Sequence, residues 1–179
     1  MQIVVTGGTG FIGGALLPAL IDRGDRVTVL TRQSRLQTAG SENLRYVTAL
    51  DAIEAPVDAV INLAGASLAA RRWTAAYKRE IRASRVEFTQ TLVAWMKSLD
   101  TPPVALISGS AIGYYGASLD ARFTESSAVA SDFAATLCRD WERAALGAQG
   151  DATRVVLLRL GVVMDAGGGA LTEMMRSFQ

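Results

Sequence analysis

Three glycines spaced three apart, Gly7, Gly10 and Gly13, stand where the apolar run Gln2-Ile3-Val4-Val5-Thr6 stops and an apolar, helix-like segment begins. The pattern reads as strand, tight turn and helix. The first glycine bends the chain, the second lets backbone approach a pyrophosphate, and the third lets the helix pack on the strand. The N–H groups that open the helix, around Phe11, Ile12 and Gly13, have no carbonyl of their own to bond and are placed to hold phosphate. Glycines also make ordinary turns. Here, however, a second strand-like run, Arg26-Val27-Thr28-Val29-Leu30-Thr31, follows the helix and supplies the context that a dinucleotide site requires.

The 179 residues, half of them apolar, suffice for one domain with a sizeable core. A net charge of +1 gives no long-range field toward nucleic acid or an anionic membrane, and neither partner is expected. There is no histidine and one cysteine, Cys138, which removes the commonest general base and excludes an internal disulfide; no metal site is expected. A reducing, cytoplasmic setting is the simplest reading, with no cleavable leader and no apolar stretch long enough to span a bilayer.

After the glycine turn, Leu16, Leu17, Leu20 and Ile21 form a helical apolar face, with Gly24 as a left-handed cap and Pro18 an awkward residue expected to bend the helix. The second strand runs to about Thr31 and is followed by Arg32, where NAD-preferring sites place an acidic residue for the ribose hydroxyls. Threonine followed by arginine suits a 2′-phosphate instead. One charge-assisted bond is worth roughly 1.5–3 kcal/mol, so Arg32 alone would favour NADP over NAD by about tenfold to a hundredfold. A solvated loop arginine is the alternative.

A short strand is expected at Leu44–Val47, and residues 59–65 form a near-continuous apolar run, as a strand buried on both faces should. Its end, Leu63, Ala64 and Gly65, would abut the same cofactor, or else make only a structural turn. From Thr74 the chain reads as one long helix or two joined ones, with Tyr77, Ile81, Phe88, Leu92, Met96 and Leu99 as its apolar stripe. Arg71, Arg72, Lys78, Arg79, Arg82 and Arg85 alternate there with Glu80 and Glu87. They form a solvated face, or one or two of the arginines meet phosphates while Glu80 accepts bonds from sugar hydroxyls.

A further buried strand, residues 104–108, ends in Gly109-Ser110-Ala111-Ile112-Gly113-Tyr114-Tyr115-Gly116. Hydroxyls thus gather where a reacting carbonyl or alcohol would lie, and Ser110 or a tyrosine could polarise it; a plain serine-rich turn is the alternative. Ser131 or Asp132 caps a helix through Phe133, Leu137, Trp141 and Ala145, which leaves Arg139, Asp140, Glu142 and Arg143 mostly on its other faces. Cys138 reads as a small core residue. Residues 153–160 form a sixth strand, and an apolar helix opens at Ala170, so that a natural chain is expected to continue further.

Alternating strands and helices, the opening Thr6-Gly7-Gly8-Thr9-Gly10-Phe11-Ile12-Gly13, Asn62-Leu63-Ala64-Gly65 and the serine-bearing fifth strand together resemble the extended short-chain dehydrogenase/reductases. Arg72-Trp73-Thr74, Ser84-Arg85-Val86, Gly113-Tyr114-Tyr115-Gly116, Asp132-Phe133, Asp140-Trp141-Glu142 and Arg159-Leu160-Gly161-Val162-Val163 narrow the likeness to the atypical epimerase branch of NAD(P)-binding proteins. The resemblance implies an α/β, doubly wound (Rossmann), mainly parallel sheet with helices on both faces, occupying residues 1–179, and a C-terminal substrate-pocket portion absent from this chain. It also implies NADP as cofactor, with Thr31 and Arg32 toward the 2′-phosphate and Leu63, Ala64, Gly65, Glu80, Arg85 and Arg159 reaching the cofactor. The expected partner is a small polar substrate, a nucleotide sugar among the candidates, and a homodimer is compatible with it.

One departure limits the likeness. The parent superfamily pairs a tyrosine with a lysine one helical turn later, and no such pair exists here; aligned on the Trp141-Glu142 helix, Ala134 and Cys138 take those places. Either Ser110 and Tyr115, the latter as acid, carry out different chemistry in a reductase or epimerase, or the protein binds NADP without catalysis, as a redox-sensing regulator.

Overall fold

Each apolar run is followed by a segment that carries the chain back across a sheet face, and parallel pairing requires that. The computed structural model describes residues 1–165 together with Gly168, Gly169 and Met175. The strands are β1 (Gln2–Thr6), β2 (Arg26–Leu30), β3 (Leu44–Val47), β4 (Ala59–Asn62), β5 (Ala105–Ala111), β6 (Arg154–Leu160) and the short β7 (Met164–Asp165). The helices are α1 (Phe11–Asp22), α2 (Ala75–Arg82), α3 (Phe88–Ser98) and α4 (Phe133–Leu146). Six strands pair in parallel in the order β3-β2-β1-β4-β5-β6. The winding direction reverses between β1 and β4, which opens a crevice at their carboxyl ends.

Alternation along β1 divides the core. Val4 packs with Val60, Leu92, Met96 and Leu106 on one face, while Ile3 and Val5 pack with Leu17, Leu20, Val27 and Val29 on the other. Burying each such aliphatic side chain contributes roughly 1.5–3 kcal/mol. The sheet is therefore held by both helical layers, and its carboxyl edge is a rigid platform.

Several boundaries differ from the sequence expectation, each for a local reason. α1 runs on through Pro18, because Pro18 and Gly14, whose carbonyl loses its donor, are both exposed to solvent. β4 ends at Asn62 rather than Gly65, whereas β5 continues to Ala111 because β6 pairs with it residue for residue from Ala105↔Arg154 to Ala111↔Leu160. Ser110 is thus a strand residue. α2 and α3 form one rod joined by five residues of wider, π-type winding, Ala83–Glu87. The extra residue shifts the phase, so that Val86 is buried and Phe88 only half-buried. Thr74 caps α2 by accepting from the Tyr77 N–H at 3.2 Å, and Asp132 caps α4 by accepting from Ala135 at 2.9 Å. The helix expected from Ala170 lies outside the described residues apart from Met175. Among the described residues no helix is long and apolar enough to cross a membrane.

Candidate functional site at the strand carboxyl ends

Gly7 turns the chain with φ of +71°, and an added Cβ would lie 2.4 Å from the Leu63 carbonyl oxygen. Only glycine lets the ends of β1 and β4 meet this closely. Gly13 has the second packing role, since a Cβ there would lie 2.3 Å from the Gly8 oxygen. Gly10 stands at the N-cap of α1 with no side-chain cap and no acidic residue in the first turn. The positive end of the helix therefore faces the crevice uncompensated.

The crevice measures about 610 Å³. Gly7, Gly10, Phe11, Ile12 and Gly13 form one wall, and Leu63 and Gly65 a second, with Ala64 between them in sequence. Arg85 is on the same wall, delivered by the π-wound segment. Its Nη2 donates to the Ala66 carbonyl at 3.0 Å, its guanidinium carbon lies 5.4 Å from the Trp141 ring centroid, and a Cβ on Gly65 would come within 2.7 Å of it. Neighbouring Ser84 accepts from the Ala66 N–H at 2.9 Å, so Ser84 and Arg85 together clamp the loop after β4. Burial pulls the Arg85 guanidinium below its ordinary value, and it has no carboxylate partner among the described residues.

The third wall contains Ser110, Gly113, Ala134, Cys138 and Trp141. Ser110 Oγ donates to Glu142 Oε1 at 2.6 Å; Arg159 Nε and Nη2 donate to the two oxygens of the same carboxylate, each at 2.8 Å. Arg159 Nη1 donates to the Tyr115 hydroxyl at 2.8 Å, and the guanidinium lies over the Tyr114 ring at 3.7 Å. Hydrogen bonding to Glu142, and then to Tyr115, raises the Arg159 guanidinium above its ordinary value. One connected unit thus joins Ser110, Glu142, Arg159 and Tyr115. Burial pushes the Cys138 thiol up, against a bond from the Ala111 backbone.

Glu142 corrects the expectation that it lies on an outer face of α4: it is 5% exposed and turned into this unit. Arg159 directs its donors to Glu142, Tyr115 and the Glu125 carbonyl. Tyr115 is not among the residues lining the crevice, and its ring stacks on Phe123 at 5.1 Å. Glu80 is exposed on α2 and faces Arg71 at 3.8 Å, away from the crevice walls. Thr31 is buried and its hydroxyl accepts from the Gln33 N–H at 3.2 Å; Arg32 is exposed and has no partner among the described residues. The other flank of the glycine turn borders a groove of about 590 Å³ whose wall includes Thr9, Gln33 and Arg35.

Sequence reasoning missed a buried polar chain beneath the crevice. Thr6 Oγ1 donates to Asn62 Oδ1 at 2.7 Å, Asn62 Nδ2 to Thr89 Oγ1 at 2.8 Å, and Trp141 Nε1 to the same Thr89 oxygen at 3.1 Å. Asparagine inside an otherwise apolar strand was the one available signal, because a buried amide demands partners.

Residues 3–177 match the family model of the NAD dependent epimerase/dehydratase family. Epimerase family protein SDR39U1 of Bos taurus is 38% identical over 182 residues, covering all of this chain and 60% of its own length. The crystal structure of human epimerase family protein SDR39U1 (isoform 2) with NADPH superposes with a TM-score of 0.84 at 37% identity, covering 99% of this chain and 59% of that one. The nucleoside-diphosphate sugar epimerase from Corynebacterium glutamicum gives 0.79 at 31% identity, covering 99% and 37%. The chain spans about three fifths of the length of the SDR39U1 proteins it matches. The strand order, the glycine turn against β4 and these likenesses agree, and the chain belongs to the NAD dependent epimerase/dehydratase family.

Proposed function

We propose that residues 1–179 form an NADP(H)-binding domain, and that the protein is an oxidoreductase or epimerase acting on a small polar substrate such as a nucleotide sugar. The observation that carries the reading is the uncapped start of α1 facing a crevice that only glycine at position 7 permits. Backbone N–H groups around Phe11, Ile12 and Gly13 hold the pyrophosphate, Leu63, Ala64 and Gly65 flank the cofactor, and Arg85 adds positive charge beside them. Arg32, exposed past the end of β2, is available to a 2′-phosphate, with Arg35 close by in sequence. The NADPH in the human relative supports this choice of cofactor, and the Corynebacterium relative's name supports the substrate class. When bound, the nicotinamide gives or takes hydride. Ser110 orients the reacting oxygen, Arg159 holds the hydroxyl of Tyr115, and a further C-terminal portion completes the pocket.

A second reading, a non-catalytic NADP-binding regulator, draws on Ala134 and Cys138. Both line the crevice where the superfamily places its tyrosine and lysine, and neither can relay a proton as that pair does.

Titration with NADPH and NADH at one ionic strength tests the cofactor assignment. NADPH should bind at least about tenfold tighter, and Arg32→Ala should abolish the difference. Equal affinities in the unaltered protein refute the assignment. Turnover of the full-length protein over an alcohol, ketone and nucleotide-sugar panel then separates the two readings: flat NADPH absorbance with cofactor bound favours the regulator.

A further inference from the structure

A serine hydroxyl has one proton and two lone pairs, so fixing the proton fixes what the oxygen offers elsewhere. At Ser110 the proton has one strong claimant. Ser110 Oγ lies 2.6 Å from Glu142 Oε1, and Arg159 grips both oxygens of that carboxylate at 2.8 Å. A carboxylate paired with a guanidinium only accepts, so the hydrogen between Ser110 and Glu142 belongs to Ser110. The backbone enforces the arrangement. Ser110 and Arg159 are direct partners in the β5–β6 register, and α4 lays Glu142 over both. Ser110 is 3% exposed and Glu142 5%, which keeps bulk water from competing for the proton. The other polar side chain beside Ser110, Cys138, is held as a neutral thiol by burial, and a thiol sulfur is a far weaker acceptor than the carboxylate, so it does not take the proton from Glu142.

We propose that Glu142 is a positioning residue that holds Ser110 as a hydrogen-bond acceptor, so that this wall of the crevice selects a ligand hydroxyl over the corresponding carbonyl. The inference rests on the reading of the crevice as a substrate site. A hydroxyl placed against Ser110 donates into the free lone pair. A carbonyl oxygen in the same place meets lone pair with lone pair and loses its water without replacement. The alcohol form of a substrate pair is therefore the one this site holds.

The test compares dissociation constants of cyclohexanol against cyclohexanone, and of glycerol against dihydroxyacetone. Each is measured on the full-length protein saturated with 1,4,5,6-tetrahydro-NADP, a redox-inert analogue. The alcohol should bind about tenfold tighter, the equivalent of one net hydrogen bond. Ser110→Ala should bring the ratio to about one. Glu142→Gln should lower it as well, since a neutral amide both donates and accepts and no longer dictates the proton; a purely structural Glu142 would weaken both members alike. A ketone equal to or tighter than its alcohol, no binding of either, or a ratio indifferent to Ser110→Ala overturns the proposal. Neutron diffraction from deuterated crystals reads the same point without ligand. A Ser110 deuteron on the line to Glu142 supports the proposal, and one directed into the crevice overturns it. Failure of the tetrahydro analogue to bind would instead count against the cofactor reading, and the deuteron position would still decide the role of Glu142.

Discussion

Three glycines of one turn and helix should respond to the same added methyl in three different ways. Gly7→Ala places a Cβ 2.4 Å from the Leu63 oxygen and 2.5 Å from its carbonyl carbon, and forces alanine into φ of +71°. The left-handed conformation costs roughly 1–2 kcal/mol. The overlap is with backbone, which cannot swing aside, and relieving it costs about 1–3 kcal/mol more. A total of about 2–5 kcal/mol in a domain of this size lowers Tm by roughly 4–20 °C. Gly10 has extended dihedrals, φ −85° and ψ −179°, and its added Cβ meets only the Gly7 oxygen at 3.1 Å. Gly10→Ala should change stability by no more than about 1 kcal/mol, yet on the proposed cofactor reading its methyl would stand where the pyrophosphate approaches, and NADPH affinity should fall by about tenfold or more. Gly14 meets nothing within 4 Å and sits inside α1, so Gly14→Ala should stabilise by up to about 1 kcal/mol through helix propensity. Thermal denaturation followed by circular dichroism and an NADPH fluorescence titration read both quantities. A Gly7→Ala protein as stable as Gly14→Ala, or a Gly10→Ala protein that loses stability as Gly7→Ala does, would refute the assignment of separate roles to the turn.

Arg159→Met leaves the Glu142 carboxylate buried without its cation and should cost about 3 kcal/mol or more in urea unfolding; a loss under about 1 kcal/mol would show the pair to be dispensable. Asn62→Leu leaves Thr6, Ser108 and Thr89 short of partners in a fully buried place, with an expected loss of about 3 kcal/mol, measured the same way. Arg82 at 2.6 Å, with Arg139 beside it, holds the Asp140 carboxyl below the usual carboxylate range. A depressed folded pKa means stability that is present above the unfolded value of about 3.9 and lost as pH falls through the folded one. Asp140→Asn should therefore lower the urea midpoint at pH 7 and close much of that gap at pH 3; an unchanged gap would place the effect elsewhere.

Local chemistry was legible before any coordinate. The glycine turn, a helix cap at Ser131 or Asp132, of which the structure uses Asp132, and β3 at Leu44–Val47 each follow from residues that are neighbours in the chain, because turn geometry, capping and strand periodicity act over a few residues. The parallel, doubly wound sheet followed from alternating strands and helices, since apolar strands buried on both faces need helical crossovers, whereas the strand order came only with the structure. Glu142 was misread for the converse reason. On α4 it sits in a run of charged residues, and only the pairing of Ser110 with Arg159 across β5 and β6 shows what its carboxylate is buried against. Charge pattern alone left Arg85 one of six cations that either form a solvated face or meet phosphate, and only the resemblance singled it out; the π-wound turn is what sets it beside Gly65.

The sequence by itself thus determined the fold and the glycine turn against which a dinucleotide is read. Tertiary structure alone decided which polar side chains share a carboxylate, and that Tyr115 bonds Arg159 and stacks on Phe123. The physical reason is range. Backbone preference is written within a few residues, whereas a buried hydrogen bond joins groups 17, 32 or 44 positions apart, and only the register of the sheet brings those together.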